Sequence, residues 1–230
     1  IRSALERLQI DADYHFFFQW LTKETPLKRW QRNFKGFNRI KPAIFALILP
    51  PLFLTFSSMS QGEKDGLKIG KKAPLFSKKM TSVDENQYAL SDLTKKNGLI
   101  VIFSCNTCPF VIGNEDFEGW EKQYNDINKV AVDKNIGLVL INSNQAKRDG
   151  DDSFAQMQSR ATNFEYAMPY LVDENSELAN AFGAKTTPHV YVFDASNKLV
   201  YKGSIDNLWD SKRIDLEPYL YMSMDYLSGG

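Results

Sequence analysis

The sequence predicts an α/β fold, a central mixed β-sheet of about five strands flanked by helices on both faces. Three observations carry this. Two uninterrupted apolar runs, Leu99-Ile-Val-Ile-Phe103 and Leu138-Val-Leu-Ile141, read as buried strands, and the segment between them has helical spacing, which makes a parallel pair. Farther on, His189-Val-Tyr-Val-Phe193 and Leu199-Val-Tyr-Lys202 flank a turn of Asp, Ser, Asn and Lys, the pattern of an antiparallel hairpin. Parallel and antiparallel pairs in one chain require a mixed sheet.

The chain has 230 residues, 43% of them hydrophobic and 13% aromatic, enough for one full core and an appendage. Formal charge is zero overall, yet residues 1–41 hold nine Lys/Arg against four Asp/Glu, so the remainder is acidic. A nucleic-acid reader needs the opposite bias on its folded part, so nucleic acid is not expected as a partner.

Residues 1–38 have no clean periodicity and are left as an unassigned tail, read either as a piece of a longer reading frame or as the result of a start set too early. Residues 39–60 then follow the three-part plan of a secretory signal. A basic Arg39-Ile-Lys41 precedes the apolar stretch from Ala43 to Phe56, and small residues at Ser58 and Ser60 place cleavage before Gln61. The run is short for a bilayer and is broken by Pro50-Pro51. An uncleaved membrane anchor over 40–56 is the alternative, and a buried core helix a third reading. Residues 61–72, rich in Gly, Lys, Glu and Asp, read as a linker, and 73–230 as the globular domain.

Within that domain, Asp84-Glu-Asn-Gln-Tyr-Ala-Leu90 predicts a turn into a short strand, and Ser91 is placed as the cap of a short helix. After the first buried strand, Phe110, Ile112, Phe117, Trp120, Tyr124 and Ile127 predict helix across 109–134. The polar loop from Asn142 to Asp152 falls at the carboxyl end of the second strand, the edge where ligands meet open α/β sheets. Ser153 caps a helix to about Asn163, Tyr170-Leu-Val172 is a short strand, and 175–182 is a helix stopped by Gly183. Ile214, Leu216, Leu220, Met224 and Leu227 predict a closing helix that ends at Gly229.

The chemistry concentrates where the first buried strand ends, at Ser104-Cys105-Asn106-Thr107-Cys108-Pro109. These are the only two cysteines of the chain. A thiol at a helix N-terminus meets unpaired N–H groups that favour the thiolate, so Cys105 is expected as the nucleophile. Cys108, expected one turn inside the helix and less exposed, would attack the mixed disulfide formed at Cys105. Zinc is disfavoured because the chain offers no third cysteine and only His15 and His189. A structural disulfide over so short a loop removes little chain entropy, and two inert buried thiols remain a further alternative.

Taken together, Ile69-Gly-Lys-Lys-Ala-Pro-Leu-Phe76, Phe103-Ser-Cys105-Asn-Thr-Cys108-Pro109, Tyr170-Leu-Val-Asp-Glu174 and Thr187-Pro188 resemble the thioredoxin-like redoxins. The likeness is to the alkyl hydroperoxide reductase/thiol-specific antioxidant group and the exported thiol-disulfide oxidoreductases of the bacterial envelope. It spans about 67–227. The resemblance implies a thioredoxin-like fold, no cofactor and no metal, with Cys105 attacking and Cys108 resolving. It further implies a cis bond before Pro188, with Thr187 pairing to a bound substrate backbone, and Asn106 and Thr107 in the substrate site. The partners it implies are protein disulfides or dithiols and an envelope electron donor, in the periplasm. Thioredoxin's usual Trp and Gly-Pro around the cysteines are replaced here by Ser104 and Asn106-Thr107, which leaves potential and partner choice open. Typical peroxiredoxins carry a threonine three residues before the peroxidatic cysteine, where this chain has Ile102, so a thiol peroxidase is the weaker alternative. A redox-inert binding module on the same fold is the alternative from another class.

Overall fold

The computed structural model describes residues 66–115, 118–209 and 214–229. The tail, the proposed signal and residues 61–65 of the linker lie outside the described residues, as does Phe117. Residues 66–72 are bound to the domain: Leu67 N–H donates to Phe182 O, Gly70 N–H to Leu199 O, and Leu199 N–H to Lys71 O. Gly66 and Gly183 pack backbone to backbone here. A Cβ on Gly183, whose φ is +69°, would lie 2.3 Å from Gly66 Cα.

The elements run β1 (Met80–Thr81), β2 (Gln87–Tyr88), α1 (Leu90–Leu93), β3 (Gly98–Ser104), α2 (Pro109–Ile112), α3 (Tyr124–Asp133), β4 (Ile136–Asn142), α4 (Phe154–Asn163), β5 (Tyr170–Val172), α5 (Glu177–Phe182), β6 (His189–Phe193), β7 (Leu199–Gly203) and α6 (Tyr219–Ser228). Strands β1 and β2 form a small hairpin, and the main sheet has the order β5-β4-β3-β6-β7. β4 is parallel to β3 and β5, whereas β6 is antiparallel to β3 and β7. The mixed five-stranded sheet is therefore as predicted.

Alternation along β3 divides the core. Ile100 and Ile102 face a cluster with Tyr124, Ile127, Met157, Leu220 and Met224. Leu99, Val101 and Phe103 face Leu90, Leu178, Phe182 and Tyr191 on the other side. Every one of these side chains is fully or almost fully buried. The parallel register pairs Ser104 with Asn142, so the cysteine motif and the polar loop leave the sheet side by side.

Four local expectations are corrected. The helix across 109–134 is broken: α2 stops at Gly113, whose φ of +83° suits glycine, and a 3-10 turn at Trp120–Gln123 leads into α3. The cap of α1 is Ala89 rather than Ser91, because the Asp92 carboxylate reaches back to the Ala89 N–H at 2.8 Å. α5 starts at Glu177, since Asn175 and Ser176 are both left-handed. The closing helix begins only at Tyr219, and Ile214 lies outside it at 96% exposure.

Candidate active site

β3 delivers Ser104 and Cys105 to the sheet's edge, and the antiparallel neighbour β6 brings Thr187-Pro188 opposite them through the pairing of Phe103 with His189. The Thr187-Pro188 bond is cis. Both thiols are free. Cys105 Sγ accepts the Cys108 N–H at 3.2 Å and lies 3.3 Å from Thr187 Oγ1. Cys108 Sγ donates to the Thr187 carbonyl oxygen at 2.9 Å. The two sulfurs, Thr107 and Thr187 open onto a groove of about 420 Å³ that Ser143, Asn144 and Ser176 also line. Pro188 is buried beneath it.

Asn106 does not line that groove. It is buried at 7% exposure and points into a polar network, accepting from Tyr170 Oη at 3.0 Å and donating through Nδ2 to Asp151 O at 2.8 Å. Asn142 and Asp152, neither of them singled out by the sequence, complete the network with Tyr170. One signal was available: a fully apolar strand, Gly137–Ile141, ends on an asparagine, and a buried strand end on a polar side chain needs a partner.

The redoxin family profile matches residues 68–217. The chain belongs to the redoxin family. Among solved structures, this redoxin is 32% identical to an uncharacterized conserved protein from Geobacillus kaustophilus over 71% of this chain and 84% of that one, at a TM-score of 0.60. It is 24% identical to a hypothetical protein from Sinorhizobium meliloti over 71% and 86%, at 0.62. A mutant PrxQ from Xylella fastidiosa, 14% identical over 71% and 96% at 0.50, shares the fold. No curated protein sequence matches. Thiol redox chemistry, as an oxidoreductase on a thioredoxin-like fold, is the function class of this redoxin.

The environment of the thiols departs from the expected one. The helix starts four residues after Cys105, so Cys108 rather than Cys105 is the residue that caps α2. Cys105 is the buried thiol, at 5% exposure, and Cys108 is the half-buried one, the reverse of the predicted order. With the shared proton on Cys105, the S–H of Cys105 draws the Cys108 thiol down to about 6, while the bond to Cys108 and burial push Cys105 up. The geometry favours the other placement of that proton. A Cys108 thiolate would face the Thr187 carbonyl oxygen at 2.9 Å, whereas Cys105 Sγ is met by an N–H and has the Thr187 hydroxyl in reach. The pair thus loses its first proton well below the ordinary thiol value, and the charge settles on Cys105.

Proposed function

We propose that this redoxin exchanges a dithiol for a disulfide on protein partners through Cys105 and Cys108. One observation carries the reading: two free thiols held by the hydroxyl and carbonyl of one residue, Thr187, at the mouth of a groove. The Cys105 thiolate attacks one sulfur of a partner disulfide, so a mixed disulfide forms and the partner's other sulfur leaves as a thiolate that takes up a proton. Cys108 gives up its proton and attacks the Cys105 sulfur, which closes the Cys105–Cys108 disulfide and releases the second partner thiol. Two electrons pass to the partner, and a dithiol donor of the envelope restores the pair. Thr187 and Thr107, at the rim, are the residues that meet the partner chain, and Asn106 supports the motif from behind.

The basic, apolar and small-residue succession of 39–60 supports export to the periplasm, with an anchor over 40–56 as the alternative arrangement. Among the described residues no helix is long and apolar enough to cross a membrane. The test of the exchange reading is trapping. Cys108→Ser should accumulate mixed disulfides with partners, because nothing resolves them, while Cys105→Ser should trap few and lose insulin reduction. Trapping by Cys105→Ser alone would reverse the two roles. Rapid peroxide consumption without disulfide reduction would replace exchange by peroxidase chemistry.

A further inference from the structure

We propose that Asp152 is a positioning residue that clamps the cysteine motif to the end of β4 and the loop after it, and thereby sets the fit of protein substrates. The inference rests on the disulfide-exchange reading. Asp152 is fully buried, 46 residues along the chain from the motif, and its carboxylate receives four donors. Oδ1 accepts the Asn106 N–H at 2.7 Å and Asn142 Nδ2 at 2.7 Å. Oδ2 accepts the Thr107 hydroxyl at 3.2 Å and Asn144 Nδ2 at 2.7 Å. Each oxygen therefore holds one donor from the motif and one from the β4 end and its loop. Thr107 and Asn144 both line the groove and both donate to Oδ2, so a single group fixes the spacing between them. From behind, Arg148 donates to the Asp152 carbonyl at 2.7 Å and the Asn142 carbonyl at 2.8 Å, which anchors the same loop.

A carboxylate suits this place because it accepts at both oxygens. An asparagine could place its NH2 where Oδ2 stands, because the Thr107 hydroxyl and the Asn144 amide can turn to accept, so alanine is the substitution that removes all four bonds. The sulfurs keep their own partners on Thr187, which the clamp does not touch.

The test compares Asp152→Ala, which removes all four acceptor bonds, with the natural protein in three readouts. Amide exchange at Asn106 should accelerate by about a hundredfold while β3 and β4 amides hold their protection. kcat/KM for insulin should fall by about tenfold, chiefly through KM, while reaction with a small aromatic disulfide changes by less than about threefold. Arg148→Ala, which leaves the carboxylate in place, should move the same readouts in the same direction by about threefold, and decides the matter should Asp152→Ala not fold. Unchanged Asn106 exchange, or an equal loss on insulin and on the small disulfide, would overturn the clamp. Failure of the natural protein to reduce insulin would instead overturn the exchange reading, and Asn106 exchange would then judge the clamp alone.

Discussion

Replacing Cys108 by serine and by alanine separates the shared proton from every other influence on Cys105. Cys108, with the hydrogen left on Cys105, is drawn down to about 6, and the first proton of the pair is taken to leave there, against about 8.5 for a free thiol. The largest cause is the hydrogen bond between the two thiols. At about pH 7 the pair is about nine-tenths ionised and a free thiol about 3%, a thirtyfold gain that reduced nucleophilicity, at a Brønsted slope of about 0.45, cuts to about twofold. At about pH 5.5 the gain in thiolate is about 240-fold, and about twentyfold survives the same correction. Acid pH is therefore where the effect is read. In Cys108→Ser the hydroxyl can turn from the Thr187 carbonyl to donate to Cys105, so the alkylation midpoint should stay below the ordinary thiol value. In Cys108→Ala that donor is gone while Cys105 remains buried, so the midpoint should rise by at least about one unit. Access to Cys105 is common to the two variants and cancels. Iodoacetamide rates from about pH 5 to 9, with the modified cysteine located by mass spectrometry, measure both midpoints. A Cys108→Ala midpoint equal to that of Cys108→Ser would refute the shared-proton argument, and preferential modification of Cys108 in the natural protein would refute the placement of the charge.

Glu121 has a side-chain exposure of only 2% and is held by Arg160 and Tyr166; Arg160→Met should cost about 3 kcal/mol in urea unfolding, because it strands a buried charge, and a loss under about 1 kcal/mol would contradict this. His189 has its pKa pushed down to about 4 by burial, with Lys202 and Lys185 adding to it. Since the unfolded chain takes up that proton near 6.5, it binds more protons than the folded chain between about pH 4 and 6.5, and stability falls as pH drops through that window. The loss is at most about 3 kcal/mol and is reduced by solvent at this half-buried residue; denaturant midpoints across the window should flatten in His189→Phe, and an unchanged slope would clear His189 of the effect. Expressed with its leader in a Gram-negative host, the protein should be recovered from the periplasm starting at or near Gln61, and intact residues 35–60 on a soluble cytoplasmic product would remove the case for export.

The five strands of the main sheet were legible from local pattern alone. β3 and β4 are unbroken apolar runs, which only a strand covered on both faces accommodates, and β6 and β7 announce their hairpin through Asp194 and Asn197 at the turn. The cysteine pair, the proline opposite it and the polar loop beside it were likewise found, because residue type and position relative to strand ends are properties of the sequence. Helix ends were less legible. Apolar spacing continues through Gly113, but glycine's backbone freedom there ends α2, and Trp120 is drawn instead into the core with Nε1 bonded to Asp206, 86 residues away. What only the tertiary structure decided was the environment of the thiols. The Thr187 groups around each sulfur and the two motif donors gathered on Asp152 come from segments tens of residues apart. A pKa and a hydrogen bond depend on distance in space, and distance along the chain carries no record of it.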